Sequence, residues 1–186
     1  MSEVIIMPGI GGSGDSHWQT FWEKADGRMR RFQPRSWDEP DLADWIDALE
    51  REIARCARPP LLVAHSLACL LVTHWAARGT AKIAGAFLVA VPDSSSPSFP
   101  AEAAGFAEPP IARFTFPSMI VASSDDPYGS LDHAYRRAGE WGSAVTEIGA
   151  RGHVNAASGI GDWPEGKALL GDFERGIAEA SFPAQP

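Results

Sequence analysis

Four short stretches of this chain are apolar almost from end to end: Val4 to Met7, Leu61 to Ala64, Ile83 to Val91 and Ser118 to Ser123. A strand with no polar face cannot border water, so such strands belong in a parallel sheet covered on both sides. Segments with helical periodicity fall between them. The helices are expected over His17 to Ala25 (Trp18, Phe21 and Trp22 on one stripe), Asp41 to Arg55, Ser66 to Arg78, Leu131 to Trp141 and Pro164 to Ala180. On the second of these, Leu42, Trp45, Ile46, Leu49 and Ile53 form one face and Asp41 is a capping residue. Gly79 closes the third. Ala144 to Ile148 adds a last short strand. Strand–helix alternation of this kind predicts a three-layer α/β/α sandwich with a mainly parallel sheet. With 186 residues and no linker-like break, one domain is expected over 1–182, with a frayed tail at 183–186.

In such a sheet, reactive groups gather beyond the carboxyl ends of the strands. Ser66 stands there, directly after Leu61 to Ala64 and at the start of a helix. The sharp strand-to-helix turn that presents a nucleophilic serine needs small residues two before and two after it. Here the pattern is Ala64-His65-Ser66-Leu67-Ala68, with alanine where glycine is usual. The competing reading is that Ser66 merely caps the helix. His65, beside the serine, must point elsewhere and reads as a packing residue rather than a base.

Ser123-Ser124-Asp125-Asp126-Pro127 follows the strand that ends near Ala122, and Arg151-Gly152-His153-Val154-Asn155 follows the last one. An acid at this place can hold an imidazole in the required tautomer. Asp126 is the chosen acid, while Asp125 is expected to tie the loop to backbone N–H groups. The chain order Ser66, Asp126, His153 is nucleophile, acid, base, with each residue behind its own strand. N–H donors for a developing oxyanion would come from Leu67 and from Ile10 or Gly11 in the loop Pro8-Gly9-Ile10-Gly11-Gly12. Nucleotide binding by this loop is disfavoured, because its glycines lack the dinucleotide and phosphate-loop spacings.

These segments together resemble a known group. Pro8-Gly9-Ile10-Gly11-Gly12-Ser13 with His17-Trp18, His65-Ser66-Leu67, Ser124-Asp125-Asp126-Pro127 and Gly152-His153-Val154-Asn155 are similar to a small serine-hydrolase family of the α/β-hydrolase superfamily. That family includes retinoblastoma-binding protein nine and many bacterial relatives. The segment Ser158-Gly159-Ile160-Gly161-Asp162-Trp163-Pro164-Glu165-Gly166 is especially like the bacterial members. The resemblance implies a compact hydrolase without a large lid domain, with Ser66 as nucleophile, Asp126 as orienting acid and His153 as base. The leucine–cysteine–glutamate element through which some relatives are discussed as binding proteins is not present around Cys56 or Cys69.

The expected chemistry is acyl transfer to water on a small ester, with an amide as the harder variant, and no metal or organic cofactor is implied. A protein-binding module on a weakly active hydrolase scaffold is the rival from another class. His17 can line the site or fix the loop before it, with Trp18 packed beneath; Trp163 can wall the pocket or anchor the last helix. A net charge of −8 disfavours nucleic acid and anionic membranes as partners. Exposed aromatics would permit a homodimer. The two cysteines sit in helical segments and read as small buried residues. No apolar run reaches the ~18 residues of a membrane span, and the N-terminus lacks a signal-peptide pattern. A cytoplasmic location is therefore expected.

Overall fold

The computed structural model describes residues 2–79 and 82–181, so the tail expected to fray at 183–186 lies outside the described residues. The chain runs β1 (Val4–Met7), α1 (Trp18–Ala25), β2 (Met29–Arg31), α2 (Leu42–Ala54), β3 (Leu61–His65), α3 (Leu67–Ala76) and β4 (Gly85–Val89). It continues with β5 (Ser118–Ala122), α4 (Leu131–Trp141), β6 (Ala144–Glu147) and α5 (Pro164–Ser181). Short 3-10 turns occupy Ala101–Phe106 and Ala156–Ser158. The six strands form one sheet in the order β2-β1-β3-β4-β5-β6, and every pairing is parallel.

Side chains alternate across this sheet and feed two cores. Ile5, Met7, Leu62, Ala64, Leu88 and Ile120 face the layer of α2, α3 and α4. Val4, Ile6, Val63, Phe87, Val89 and Val121 face α1 and α5. All residues of β1, β3 and β4 are buried, which is why these strands carry no polar face. The helix α3 is buried nearly all round, because it lies between the sheet and the turn Ala101–Phe106. Among the described residues no helix is long and apolar enough to cross a membrane.

Several expectations need correction. The edge strand β2 was not foreseen; it has three residues, two of them Arg30 and Arg31, and pairs only with β1. The other edge, β6, ends at Glu147 rather than Ile148, and Ala144 and Glu147 are exposed, as a strand with one neighbour allows. Phe21 is 38% exposed, and the buried stripe of α1 holds Gln19 beside Trp18 and Trp22. Cys56 lies just past α2, half-buried, with its Sγ 3.2 Å from an Arg30 nitrogen; Cys69 is buried as expected.

The strand order reverses between β1 and β3. The chain leaves β1 toward β2 on one side and proceeds from β3 toward β6 on the other. Loops at such a switch point diverge and leave a crevice beyond the carboxyl ends of the two strands. The glycine-rich loop follows β1 and Ser66 follows β3, so both open onto that crevice.

Candidate active site

Ser66 sits at the turn between β3 and α3 with φ 55° and ψ −124°, a conformation that costs a non-glycine residue energy. Its N–H donates to the Val89 carbonyl at 3.0 Å, which holds the turn onto the end of β4. The side chain makes no hydrogen bond to the helix, so the capping reading is ruled out. Ala64 and Ala68 are fully buried and neither has a positive φ, so the turn does not require glycine at those places. The requirement falls on Gly9 instead. A Cβ there would stand 3.0 Å from Ser66 Cβ, 3.2 Å from the His65 carbonyl and 3.3 Å from the Leu67 nitrogen. The loop after β1 closes on the turn at that point.

His153 completes a hydrogen-bonded chain. Ser66 Oγ lies 2.8 Å from His153 Nε2, and His153 Nδ1 lies 2.9 and 3.0 Å from the two oxygens of Asp126. With Nδ1–H donating to the carboxylate, Nε2 is left to accept the serine proton. The Asp126 side chain is 2% exposed and that of His153 10%. Asp126 also accepts the backbone N–H of Tyr128 at 2.9 Å, and the Tyr128 ring packs 4.6 Å from the imidazole. Asp125 does what was expected of it. It accepts Gly152 N–H at 2.7 Å and the Ser123 hydroxyl at 2.8 Å, and these bonds hold its carboxyl below the usual range. Ser123 Oγ in turn accepts Arg151 N–H.

Two ring N–H groups tether the loop that carries the imidazole. His65 Nε2 is 2.9 Å from the His153 carbonyl, and Trp18 Nε1 donates to the Val154 carbonyl at 2.8 Å. His65 therefore points away from the serine, as its place in the turn demands.

Leu67 and Ile10 line the same cleft, and their N–H groups have no partner among the described residues. Gly11 must be withdrawn as a donor: its N–H is turned inward, onto the Trp37 carbonyl at 3.1 Å. Gly12 N–H closes a turn on Gly9. A polar girdle, invisible in the sequence, fixes this loop. Buried Gln19 donates to the Met7 carbonyl at the end of β1 and to the Val63 carbonyl within β3, and accepts the Ser13 hydroxyl. Arg31 donates to the Gly12 and Ser13 carbonyls and to Thr20 Oγ1, with Glu23 beside it. A polar residue inside the apolar stripe of α1 was the one available signal for Gln19.

The cleft above Ser66 measures about 490 Å³. Ile10, Leu67, Phe99, Pro92, Tyr128 and Asn155 give its wall a mixed character. Phe99, Pro100 and Glu102 bring the segment after β4 to its rim. His17 is part of the wall, whereas Trp18 and Trp163 stand behind it. Trp163 stacks on Trp22 at 5.8 Å and serves to seat the start of α5. Burial, helped by Arg31 and His153, pushes His17 down to about 4; burial also drives His65 well below the usual histidine value. Both rings beside the triad residues are thus neutral near pH 7.

Residues 4–172 match the family model described as serine hydrolase. The chain belongs to that serine hydrolase family. A YdeN-like hydrolase from Pectobacterium atrosepticum is 30% identical, with 94% of this chain and 91% of that one covered and a TM-score of 0.83. The ydeN gene product of B. subtilis is similar at 22% identity, 94% and 100% coverage and TM-score 0.78. An N-formylmaleamic acid deformylase from Pseudomonas putida is similar at 14% identity, 90% coverage of each chain and TM-score 0.69. The last two, at such identities, speak for the α/β-hydrolase fold alone. No curated protein matches in sequence. The fold is that of a compact α/β-hydrolase, and among the described residues there is no large lid.

Proposed function

We propose that this serine hydrolase is an esterase for small uncharged substrates in the cytoplasm, working through Ser66, His153 and Asp126. The observation that carries the reading is the unbroken run from Ser66 Oγ to His153 Nε2 at 2.8 Å and from His153 Nδ1 to Asp126 at 2.9 Å. His153 takes the Ser66 proton as Oγ attacks the ester carbonyl, and Asp126 stabilises the imidazolium that forms. The developing oxyanion is met by the N–H groups of Leu67 and Ile10. Collapse of the tetrahedral intermediate expels the alcohol, which receives the proton from His153. Water, activated by the same histidine, then attacks the acyl-enzyme carbonyl; the acid leaves and Ser66 regains its proton. Amides fit the same route with a poorer leaving group.

A cleft of about 490 Å³ suits a small substrate rather than a polymer. The test is hydrolysis of p-nitrophenyl acetate by the wild type and by Ser66→Ala. Release of p-nitrophenol that depends on Ser66 supports the reading. Equal rates for the two proteins would refute it and favour a scaffold kept for binding.

A further inference from the structure

Tyr128 is an aromatic side chain that the fold leaves uncovered. It is 38% exposed, and of the large apolar side chains exposed among the described residues it is the one that lines the cleft above Ser66. Its backbone is clamped on both sides. The N–H donates to Asp126 at 2.9 Å, and the carbonyl accepts Asp93 N–H at 2.7 Å. The next residue, Gly129, lies so close to the segment after β4 that a Cβ there would strike the Val91 carbonyl oxygen. The Tyr128 hydroxyl makes no hydrogen bond among the described residues, so what the side chain offers the cleft is its ring. A ligand that covers an aromatic surface already held in place gains the burial at little further cost of ordering.

The position of the ring assigns the part of the substrate it meets. Two rings pack on the His153 imidazole: buried His65 at 5.1 Å, and exposed Tyr128, edge-on, at 4.6 Å. In the tetrahedral intermediate the oxyanion points to the N–H groups of Leu67 and Ile10. The leaving oxygen must lie within hydrogen-bond reach of His153 Nε2 to take its proton. The substituent on that oxygen therefore starts beside the imidazole, and the acyl chain takes the direction that remains. The sheet separates the two flanks in the same sense. Ile10 follows β1 and Tyr128 follows β5, three strand spacings or about 14 Å apart. Pro92 and Phe99 follow β4, beside β5, and line the cleft with Tyr128.

We propose that the Tyr128 ring packs against an aromatic ring carried by the leaving group, so that the preferred esters are those of phenols and benzylic alcohols. This assignment rests on the esterase reading above and makes Tyr128 a specificity determinant for its leaving group.

Two esters that share an acyl group pass through the same acyl-enzyme, so a contact with the leaving group shows in kcat/KM and not in deacylation. The probes are benzyl acetate against cyclohexylmethyl acetate. Ethyl phenylacetate against ethyl cyclohexylacetate is the second pair, which moves the ring to the acyl side. The expected result is that Tyr128→Leu lowers the benzyl to cyclohexylmethyl ratio of kcat/KM by about three- to tenfold, as the loss of an aromatic pair implies. The acyl-side ratio should stay unchanged. Tyr128→Phe, which keeps the ring, should keep the wild-type ratio in both pairs. Disturbance of the imidazole by loss of the Tyr128 ring slows both members of a pair alike and cancels in the ratio. An unchanged benzyl ratio in Tyr128→Leu would overturn the proposal, as would an equal or larger fall in the acyl-side pair. A wild type that cleaves p-nitrophenyl acetate through Ser66 but leaves benzyl acetate intact would overturn it too. Should Tyr128→Leu not accumulate, Tyr128→Met is read the same way. Ser66-dependent release of p-nitrophenol distinguishes the two failures: without it the esterase reading falls, and with it only the role of Tyr128 does.

Discussion

Ser66 and His153 meet at 2.8 Å, yet the two sides of that hydrogen bond are held by different physics. The serine side is set by packing. Ala64, Leu67, Ala68 and Cys69 are all buried in one core, and Gly9 abuts the turn from above. The histidine side has little core of its own and is set by polar tethers. His65, Trp18, Asp125 and Ser123 each hold a backbone group between Arg151 and Val154. Packing tolerates changes that keep volume and shape, whereas a tether is lost with a single atom. The serine side should therefore yield to added bulk, and the histidine side to removed hydrogen-bond partners.

The strongest way to break this contrast is at the acid. Asp126→Asn removes the acceptor that fixes the imidazole tautomer and should lower kcat by about 10⁴-fold. Asp125→Asn, which loosens the bonds to Gly152 and Ser123 but leaves the imidazole's acceptor in place, should cost about tenfold. Reversed magnitudes in steady-state kinetics would show that the wrong acid was chosen.

The next effect is on stability against pH. The folded value of His17 is near 4, below its ordinary 6.5, because of burial first and Arg31 and His153 after it. A depressed histidine stays neutral in the fold, so the unfolded chain binds more protons between those values. Its contribution is full above pH 6.5 and is lost as pH falls through 4; the shift corresponds to about 3 kcal/mol. Urea unfolding from pH 7 to pH 4 should show falling stability, and His17→Asn should flatten the decline. His65 and His133, both lowered by burial, add to it with the same sign.

Gly9→Ala probes the packed side, since its methyl would press on Ser66 Cβ and Leu67 N. By displacing one oxyanion donor it should reduce kcat about 10²-fold, with KM little changed. Trp18→Phe probes a tether with the aromatic ring kept. It should cost about 1–2 kcal/mol in denaturant unfolding and a few-fold in kcat. If Gly9→Ala is silent while Trp18→Phe abolishes turnover, the two sides have been assigned the wrong way round.

Features that depend on local chemistry were legible in the sequence. Fully apolar runs give buried strands, and the order of Ser66 and Asp126 behind two such runs, with His153 behind the shorter, half-exposed β6, gives the constellation. What required the structure arises between segments far apart in the chain. Ala64 and Ala68 looked like a weakness because the glycine is needed at residue 9, where another loop closes on the turn. Gly11 looked like a donor until Trp37 was seen to take its N–H. Strand β2 was hidden because Arg30 and Arg31 serve an edge and a girdle rather than a core. Gln19 was hidden by its place among tryptophans.

The most direct measurement is intact-protein and peptide mass spectrometry after treatment with a fluorophosphonate probe, on the wild type and on Ser66→Ala. The account predicts a single stoichiometric adduct on Ser66 in the wild type, and none in the folded variant. Folded wild-type protein without an adduct, or an adduct at another residue that survives Ser66→Ala, would contradict it.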